Sequence, residues 1–398
     1  MGFISVTLLP WITDEFLPIA NNYLHKGASS VKDNWKPIVS AFGIITVYHL
    51  VEIRRHRYRY INELRQKYPD PSIALKDSQV AAKVFDIAMR KEFPALHYVA
   101  FNIALYRSVT IPSISRLLVA TGEAHVNPQK REEDSYLLLH EMLDVYPHIQ
   151  SERKKNPSLT AEKIEEQELR RTHAIARMNE IHSRYRILHG DFLYQLVLFV
   201  SEPIYWINKF GYRKLDELEM NAIYKMWADI ADGMGLENYP SSAKAMIEYH
   251  KKYAAAHSRY FPTTEKVSES TINNTASHFP SWARPFVRMA FSCMITPQDC
   301  RAMGLPQASG WFKSLFDSYL YLHGYYVRFL QFPRKESYLG TPVHPNENNR
   351  YMPQYDSGDH PAYPEGYTIN GLGPTKIKTS LCPMPNVRVG TCPVAHFK

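Results

Sequence analysis

The chain has 398 residues, four cysteines and a formal net charge of +8. Its basic residues form short clusters rather than a stripe alternating with aromatic side chains, and no nucleic-acid motif is present, so no nucleic acid is expected as a partner. The four cysteines form no CxxC pair and no zinc-finger spacing, which argues against a disulfide or zinc framework. We expect a large domain with reduced thiols.

The first 60 residues are interpreted as an N-terminal segment that contains a membrane anchor. Residues 38–53 read IVSAFGIITVYHLVEI and are followed by four arginines between positions 54 and 59. The run is shorter than the ~20 residues that usually span a bilayer. Its basic end is typical of the cytosolic side. We expect a single-pass anchor with the rest of the chain facing the cytosol, and a buried core helix is the alternative.

Helical periodicity dominates the chain as far as residue 334, and no alternating strand pattern is visible. The sequence therefore predicts an all-α fold, with one helical domain over residues 77–334. The charge-dense segment 149–171 is predicted as a loop followed by an exposed helical entry. The other predicted helices cover 77–89, 95–107, 114–121, 131–144, 215–233, 243–260, 282–294 and 309–330.

The last part of the chain, residues 335–398, has a different composition. Proline, glycine, asparagine, tyrosine and histidine are frequent there, and no apolar period is visible. Such a segment is predicted to be irregular or disordered. It is therefore interpreted as a tail that follows the helical domain.

Two histidines lie on the apolar face of a helical pattern that begins near Ala174. A histidine there needs a partner for each ring nitrogen, or a metal. On one straight helix His182 and His189 would lie about 10.5 Å apart along the axis. Either one of them binds a metal alone, or both are satisfied core residues. The pattern consists of Ile175, Met178, His182, Tyr185, His189, Phe192, Leu196 and Phe199.

Four ordered stretches of the chain, covering about residues 85–334, resemble one known family. It is the fungal oxygenases bound to the endoplasmic reticulum (ER), typified by the enzyme that cleaves the farnesyl chain in mycophenolic acid biosynthesis. They share a catalytic domain with the bacterial latex-clearing protein, a rubber oxygenase. The stretches are ALYR with IPSISRLLVATG (104–122), KR with DS (130–135), ARMN, HSRY and DFLY (176–194), and CRAMGLP (300–306).

This resemblance implies a helical bundle around a b-type haem. The iron would be bound by the histidine of the ARMN–HSRY stretch, which is His182, with His189 as its competitor. Two positions depart from the bacterial branch. Asn179 stands three residues before the ligand, where that branch has arginine, and Ala120 precedes Thr121 where the rubber oxygenase has lysine.

Five further side chains are candidates for the haem site. Arg177 and Arg116 match a haem carboxylate, because a guanidinium pairs with it bidentately. Their alternative is a surface ion pair. Tyr185 is placed with them among the cofactor-binding residues. Thr121 is a candidate donor to bound oxygen, or simply ends its helix, and Asp134 is a candidate catalytic base or orienting group, or caps the following helix.

The hypothesis that follows is a membrane-anchored, haem-dependent oxygenase of the endoplasmic reticulum. It would add both atoms of O₂ across a C=C bond of an isoprenoid or other apolar chain. An anchor suits a substrate that partitions into lipid. The alternatives are a haem-dependent hydroxylase or dehydrogenase that tailors a terpenoid or polyketide, and a non-catalytic haem-binding membrane protein.

Overall fold

The computed structural model describes residues 31–354 and 362–380. The prediction of an all-α fold is confirmed: in this part of the chain there is no strand, and Tyr351 and Tyr367 form an isolated antiparallel bridge. A π-helical stretch covers Asp86–Glu92, and a 3-10 turn covers Ile369–Gly371. The α-helices are α1 (Val31–Arg57), α2 (Arg59–Lys67), α3 (Ile73–Lys76), α4 (Ser78–Phe85), α5 (Pro94–Ser108), α6 (Pro112–Thr121), α7 (Glu123–Val126), α8 (Pro128–Leu143), α9 (Val145–Lys155), α10 (Ala161–His182), α11 (His189–Phe210), α12 (Glu217–Gly233), α13 (Ala243–His257), α14 (Pro262–Ser277), α15 (Arg284–Met294), α16 (Pro297–Ala302) and α17 (Gly310–Phe329).

Helix α11 lies at the centre of the bundle and packs against α5, α12, α13 and α17. It is apolar on most faces, as expected of a helix surrounded by other helices. Its Phe199 ring stacks on Trp227 of α12 at 4.3 Å between ring centroids and on Phe101 of α5 at 5.2 Å. These ring contacts hold α5 and α12 against α11.

The chain breaks between α10 and α11, where the apolar period predicts one continuous helix. His182 is the last residue of α10 and His189 is the first of α11. The expectation of a single helix was wrong, and the axial separation based on it does not apply. The start of α11 is held by α13: the Tyr253 hydroxyl donates to Asp191 at 2.9 Å, and a Cβ on Gly190 would lie 2.9 Å from the Tyr253 ring.

The described part of the C-terminal tail folds onto α8, α9 and α10. Its backbone is irregular, as its composition indicates, but buried side chains bind its carbonyl groups. Arg177 of α10 donates to the carbonyl oxygens of Leu372 at 2.8 Å and Ile377 at 2.9 Å. Residues 355–361 and 381–398 lie outside the described residues. The division of the chain into segments 1–60, 77–334 and 335–398 stays a prediction.

Arg170 is the most heavily bonded link between the tail and the bundle. Its guanidinium is 1% exposed and donates to both oxygens of Glu141, at 2.7 and 2.8 Å. It also donates to the carbonyls of Pro342 and Val343, each at 3.0 Å, and covers the Tyr351 ring. Burial disfavours the charged guanidinium, but Glu141 outweighs burial, so the pKa of Arg170 is raised. One cation therefore joins α8, α10 and the tail.

The middle of helix α1 is exposed around most of its circumference. Phe42, Ile44 and Ile45 are 60–71% exposed, although all are large and apolar. In the described part of the chain no single helix is long and apolar enough to cross a membrane. The pair α5 and α6 meets the same requirement together, with an 89° bend between them. The predicted single-pass anchor at 38–53 lies within α1 and stays a prediction.

Candidate functional site

His182 lies at the C-terminal end of α10 with its ring partly buried. Its Nδ1 is shielded from solvent and has no hydrogen-bond partner among the described residues. The Phe192 ring meets it edge-on, with 5.2 Å between centroids. Burial, together with the nearby Arg131, lowers the pKa of His182 to about 4. The imidazole is therefore neutral at neutral pH, which is the state in which histidine binds a metal.

Arg131 of α8 brings a positive charge close to His182. Its Nη1 donates to Ser135 Oγ at 2.5 Å, and no described carboxylate lies within 4 Å of the guanidinium. Burial lowers the pKa of Arg131, and the more distant Asp134 and Glu123 act against this effect. A guanidinium with no carboxylate in contact, close to an imidazole whose Nδ1 is unpaired, suits a ligand that carries a carboxylate next to its metal.

Tyr185 lies close to both His182 and Arg131, whereas Thr121 has its recorded contact within its own helix. The Tyr185 amide donates to the His182 carbonyl at 3.0 Å, and its side chain lies close enough to raise the pKa of Arg131. Thr121 is the last residue of α6, and its hydroxyl donates to Leu118 O at 2.9 Å. Thr121 therefore lies at the end of its helix, as the alternative interpretation of this residue predicted. Its role as a donor to bound oxygen stays a prediction.

The two arginines predicted to meet a haem carboxylate have other partners. Arg116 donates to Pro112 O at 3.2 Å within its own helix and covers the Phe261 ring at 5.2 Å. Arg177 is 2% exposed, and besides its two bonds to the tail it pairs with Glu180 at 2.6 Å. Neither forms the surface ion pair that was the alternative. A cofactor role for Arg177 would require breaking its contacts with the tail.

Asp134 lies within α8 and does not cap it. Its carboxylate accepts from Lys130 Nζ at 2.7 Å and from the Tyr363 hydroxyl. Lys130 also donates to Gly373 O at 2.8 Å, so this buried group helps to hold the tail. The catalytic role predicted for Asp134 stays a prediction.

The remaining surroundings give no second candidate site. His189 is exposed at the start of α11. No three His, Cys, Asp or Glu side chains of the described residues are placed to bind one metal ion. Two small cavities lined by described residues lie elsewhere. One, of about 30 Å³, lies by Tyr212 and His323, and one of about 10 Å³ lies by His97 and His140.

Sequence reasoning did not single out Arg131, although it noted the stretch that contains it. The KR and DS pairs at 130–135 are one helical turn apart, which places Arg131 beside Ser135 on one face. That spacing is a local signal. Its closeness to His182 depends on the packing of α8 against α10, which no local pattern reveals.

The fold and site together define an all-helical protein with an isolated histidine as its candidate metal ligand. No family model matches the sequence. The chain is 26% identical to the ER-bound oxygenase mpaB′ of Penicillium brevicompactum, over 95% of this chain and 99% of that protein. The ER-bound oxygenases mpaB of Penicillium brevicompactum (29% identical) and of Penicillium roqueforti strain FM164 (31%) match 56% and 50% of this chain, and 53% and 63% of their own lengths.

These relatives confirm the predicted resemblance to the ER-bound oxygenases of the mycophenolic acid type. Because these relatives are named as oxygenases, the prediction that this chain is an enzyme of the oxidoreductase class is confirmed. The names specify no cofactor and no substrate. The residues around His182 are therefore the basis for a more specific proposal.

Proposed function

We propose that this chain is a haem-dependent oxygenase, attached to the ER membrane, that cleaves a C=C bond in an isoprenoid or other apolar chain. The observation that carries the haem assignment is the neutral imidazole of His182, whose buried Nδ1 has no partner among the described residues, close to the guanidinium of Arg131, which no described carboxylate contacts within 4 Å. The relatives' names support the oxygenase class and the location.

The residues of the cluster fit a b-type haem by their chemistry. His182 would hold the iron, and Arg131 rather than Arg177 would meet a haem carboxylate. When bound, haem b supplies the binding and activation of O₂. Phe192 contacts the His182 ring and restricts its rotation, while burial keeps that ring unprotonated. Tyr185 lies three residues after the end of α10, and its side chain is close enough to Arg131 to act on the charge of the guanidinium.

The proposal is tested first on the purified, detergent-solubilised full chain. We expect a Soret band that shifts on reduction, and O₂ uptake with a prenylated phenol. We also expect two carbonyl fragments by mass spectrometry, because cleavage places one oxygen atom on each former alkene carbon. A product with an intact carbon skeleton and one added oxygen would indicate hydroxylation instead. A colourless, iron-free protein with normal helical content would contradict the haem assignment.

Replacement of Arg131 by leucine is expected to weaken haem retention roughly tenfold. A charge-assisted hydrogen bond contributes about 1.5–3 kcal/mol, and about 1.4 kcal/mol corresponds to a factor of ten. Haem transfer to apomyoglobin measures the loss. The matched control is Arg184→Leu, which removes an exposed arginine from the turn after α10. A larger effect of Arg116→Leu than of Arg131→Leu would reassign the carboxylate partner.

A further inference from the structure

Helix α17 has two apolar faces, and the bundle covers one of them. Phe312, Leu320, Gly324 and Val327 are buried on the inner face. A Cβ on Gly324 would lie 2.6 Å from the carbonyl oxygen of Phe210, so α17 lies directly against the end of α11. This close approach fixes which face of α17 points away from the protein.

The outward face carries a continuous row of large apolar residues, here called the outer stripe. Its members are separated by three or four positions, so they line one side of the helix over roughly 27 Å. Single exposed apolar residues are ordinary, but a row of this length indicates a contact surface. The outer stripe consists of Trp311 (68% exposed), Leu315 (60%), Tyr319 (56%), Leu322 (65%), Tyr325 (58%) and Phe329 (40%).

The outer stripe ends where α17 meets α1. His49 of α1 lies 3.2 Å from Leu330 O through its Nε2, and its ring packs on Phe332 with 4.9 Å between centroids. Arg57 of α1 donates to Gln331 O. The middle of α1 is itself apolar and exposed. The outer stripe and α1 are therefore two neighbouring apolar surfaces, and no described residue covers either of them.

We propose that the outer stripe lies in the interfacial layer of the lipid bilayer beside α1, so that the catalytic domain is docked flat on the membrane. This inference rests on the membrane attachment in the proposed function. Trp311, Tyr319 and Tyr325 have the amphipathic rings that prefer the headgroup level. The charges near the stripe also suit anionic lipid: the exposed Arg328 has no described carboxylate within 4 Å, and Asp317 is paired with Lys209 and Lys313.

The first test measures whether Trp311 meets acyl chains. The full chain is mixed with vesicles of phosphatidylcholine and phosphatidylserine, with and without brominated acyl chains. The emission of the wild type minus that of Trp311→Phe isolates this residue. We expect brominated lipid to lower that difference at least twofold. An unchanged difference on vesicles that do bind the protein would overturn the proposal.

The second test measures vesicle binding by flotation. Leu315→Ser combined with Leu322→Ser is expected to lower partitioning about tenfold, because two leucines leave the apolar layer. The matched control combines Leu75→Ser and Val126→Ser, exposed residues on α3 and α7, which pack against α4 and α14. It is expected to bind within twofold of the wild type, and circular dichroism checks that both variants keep their helical content.

The outcomes separate this inference from the membrane attachment itself. If the wild type binds no vesicles, the attachment fails and the docking fails with it. If the wild type binds, the stripe variant binds equally and Trp311 is not quenched, only the docking is wrong. If the stripe variant changes a dimer into a monomer while Trp311 is again unquenched, the stripe is an interface between copies, which also overturns the proposal.

Discussion

Replacement of His182 by alanine is expected to remove the Soret band from the purified chain, whereas His189→Ala is expected to keep it. His182 has a buried nitrogen without a described partner and a pKa of about 4, while His189 lies exposed at the start of the next helix. Haem content per chain, measured as the pyridine haemochrome, reports the result. O₂ uptake should fall to the background rate in the His182 variant alone.

Imidazole added to the His182→Ala protein provides the control for folding. The lost side chain leaves space at the end of α10, and a free imidazole that enters it should restore part of the Soret band. A fold defect would not be repaired in this way. The reverse pattern, with the band lost in His189→Ala and kept in His182→Ala, would make His189 the ligand and remove the basis of the proposed site.

Replacement of Arg170 by methionine is expected to lower the free energy of unfolding by about 3–5 kcal/mol, because it leaves the buried carboxylate of Glu141 without its cation. It also removes the donors to Pro342 O and Val343 O. Urea unfolding of the detergent-solubilised protein measures the loss. The matched control is Arg171→Met, a neighbour on the same helix with no described ion pair, which should change stability by less than about 0.5 kcal/mol.

A double variant distinguishes the ion pair from the size of the side chain. When Glu141→Gln is added to Arg170→Met, neither member of this buried pair carries a charge, so part of the lost stability should return. If the double variant is less stable than Arg170→Met alone, the carboxylate is not the source of the cost. Limited proteolysis near residues 340–350 gives a second readout, since that segment loses its donors in both variants.

The regular helices are predictable from local signals. The pattern predicts α6 over 114–121 with a stop at Gly122, and the structure has it over Pro112–Thr121. Gly122 follows with a φ of +80°, a conformation that glycine adopts without steric cost. The helix predicted at 95–107 is likewise found as Pro94–Ser108. In both cases the signals that predict the helix, which are a proline at its start, an apolar period and a terminating residue, lie close together in the sequence.

Elements stabilised by distant contacts were not predictable in the same way. Helix α14 was missed because its sequence is rich in serine, threonine and asparagine and buries few apolar residues, among them Val267, Ile272 and Ala276. In the segment predicted as a loop and an exposed helix, 149–171, the structure has the end of α9, a short connection and the start of α10. The described part of the tail has the irregular backbone that was predicted, but its packing on the bundle was not predictable because its partners are buried side chains far away in the sequence, such as Arg177.

The candidate site was predicted in part. The resemblance selects His182, which the structure places at the end of α10 with its ring partly buried. The apolar period predicted that one helix continues through residues 183–188, where the structure has a break. The period does not reveal this break, because the start of α11 is fixed by a contact with α13. Arg131 was not predicted as a site residue, because it comes close to His182 only when α8 packs against α10. Local patterns therefore identify residue types, and tertiary packing decides which of them meet.

The position of the tail has a consequence for biosynthesis. Glu141 and Arg177 find their partners among residues that come near the end of the chain, Tyr367 and Leu372. The contacts of these two groups with the tail therefore form only after residues 367–372 have been synthesised, 195 or more positions after Glu141 and Arg177 themselves. A nascent chain interrupted before residue 367 keeps the ion pairs of Glu141 with Arg170 and of Arg177 with Glu180 but lacks the tail groups that complete them, and incompletely bonded interiors of this kind are what cellular quality control acts on.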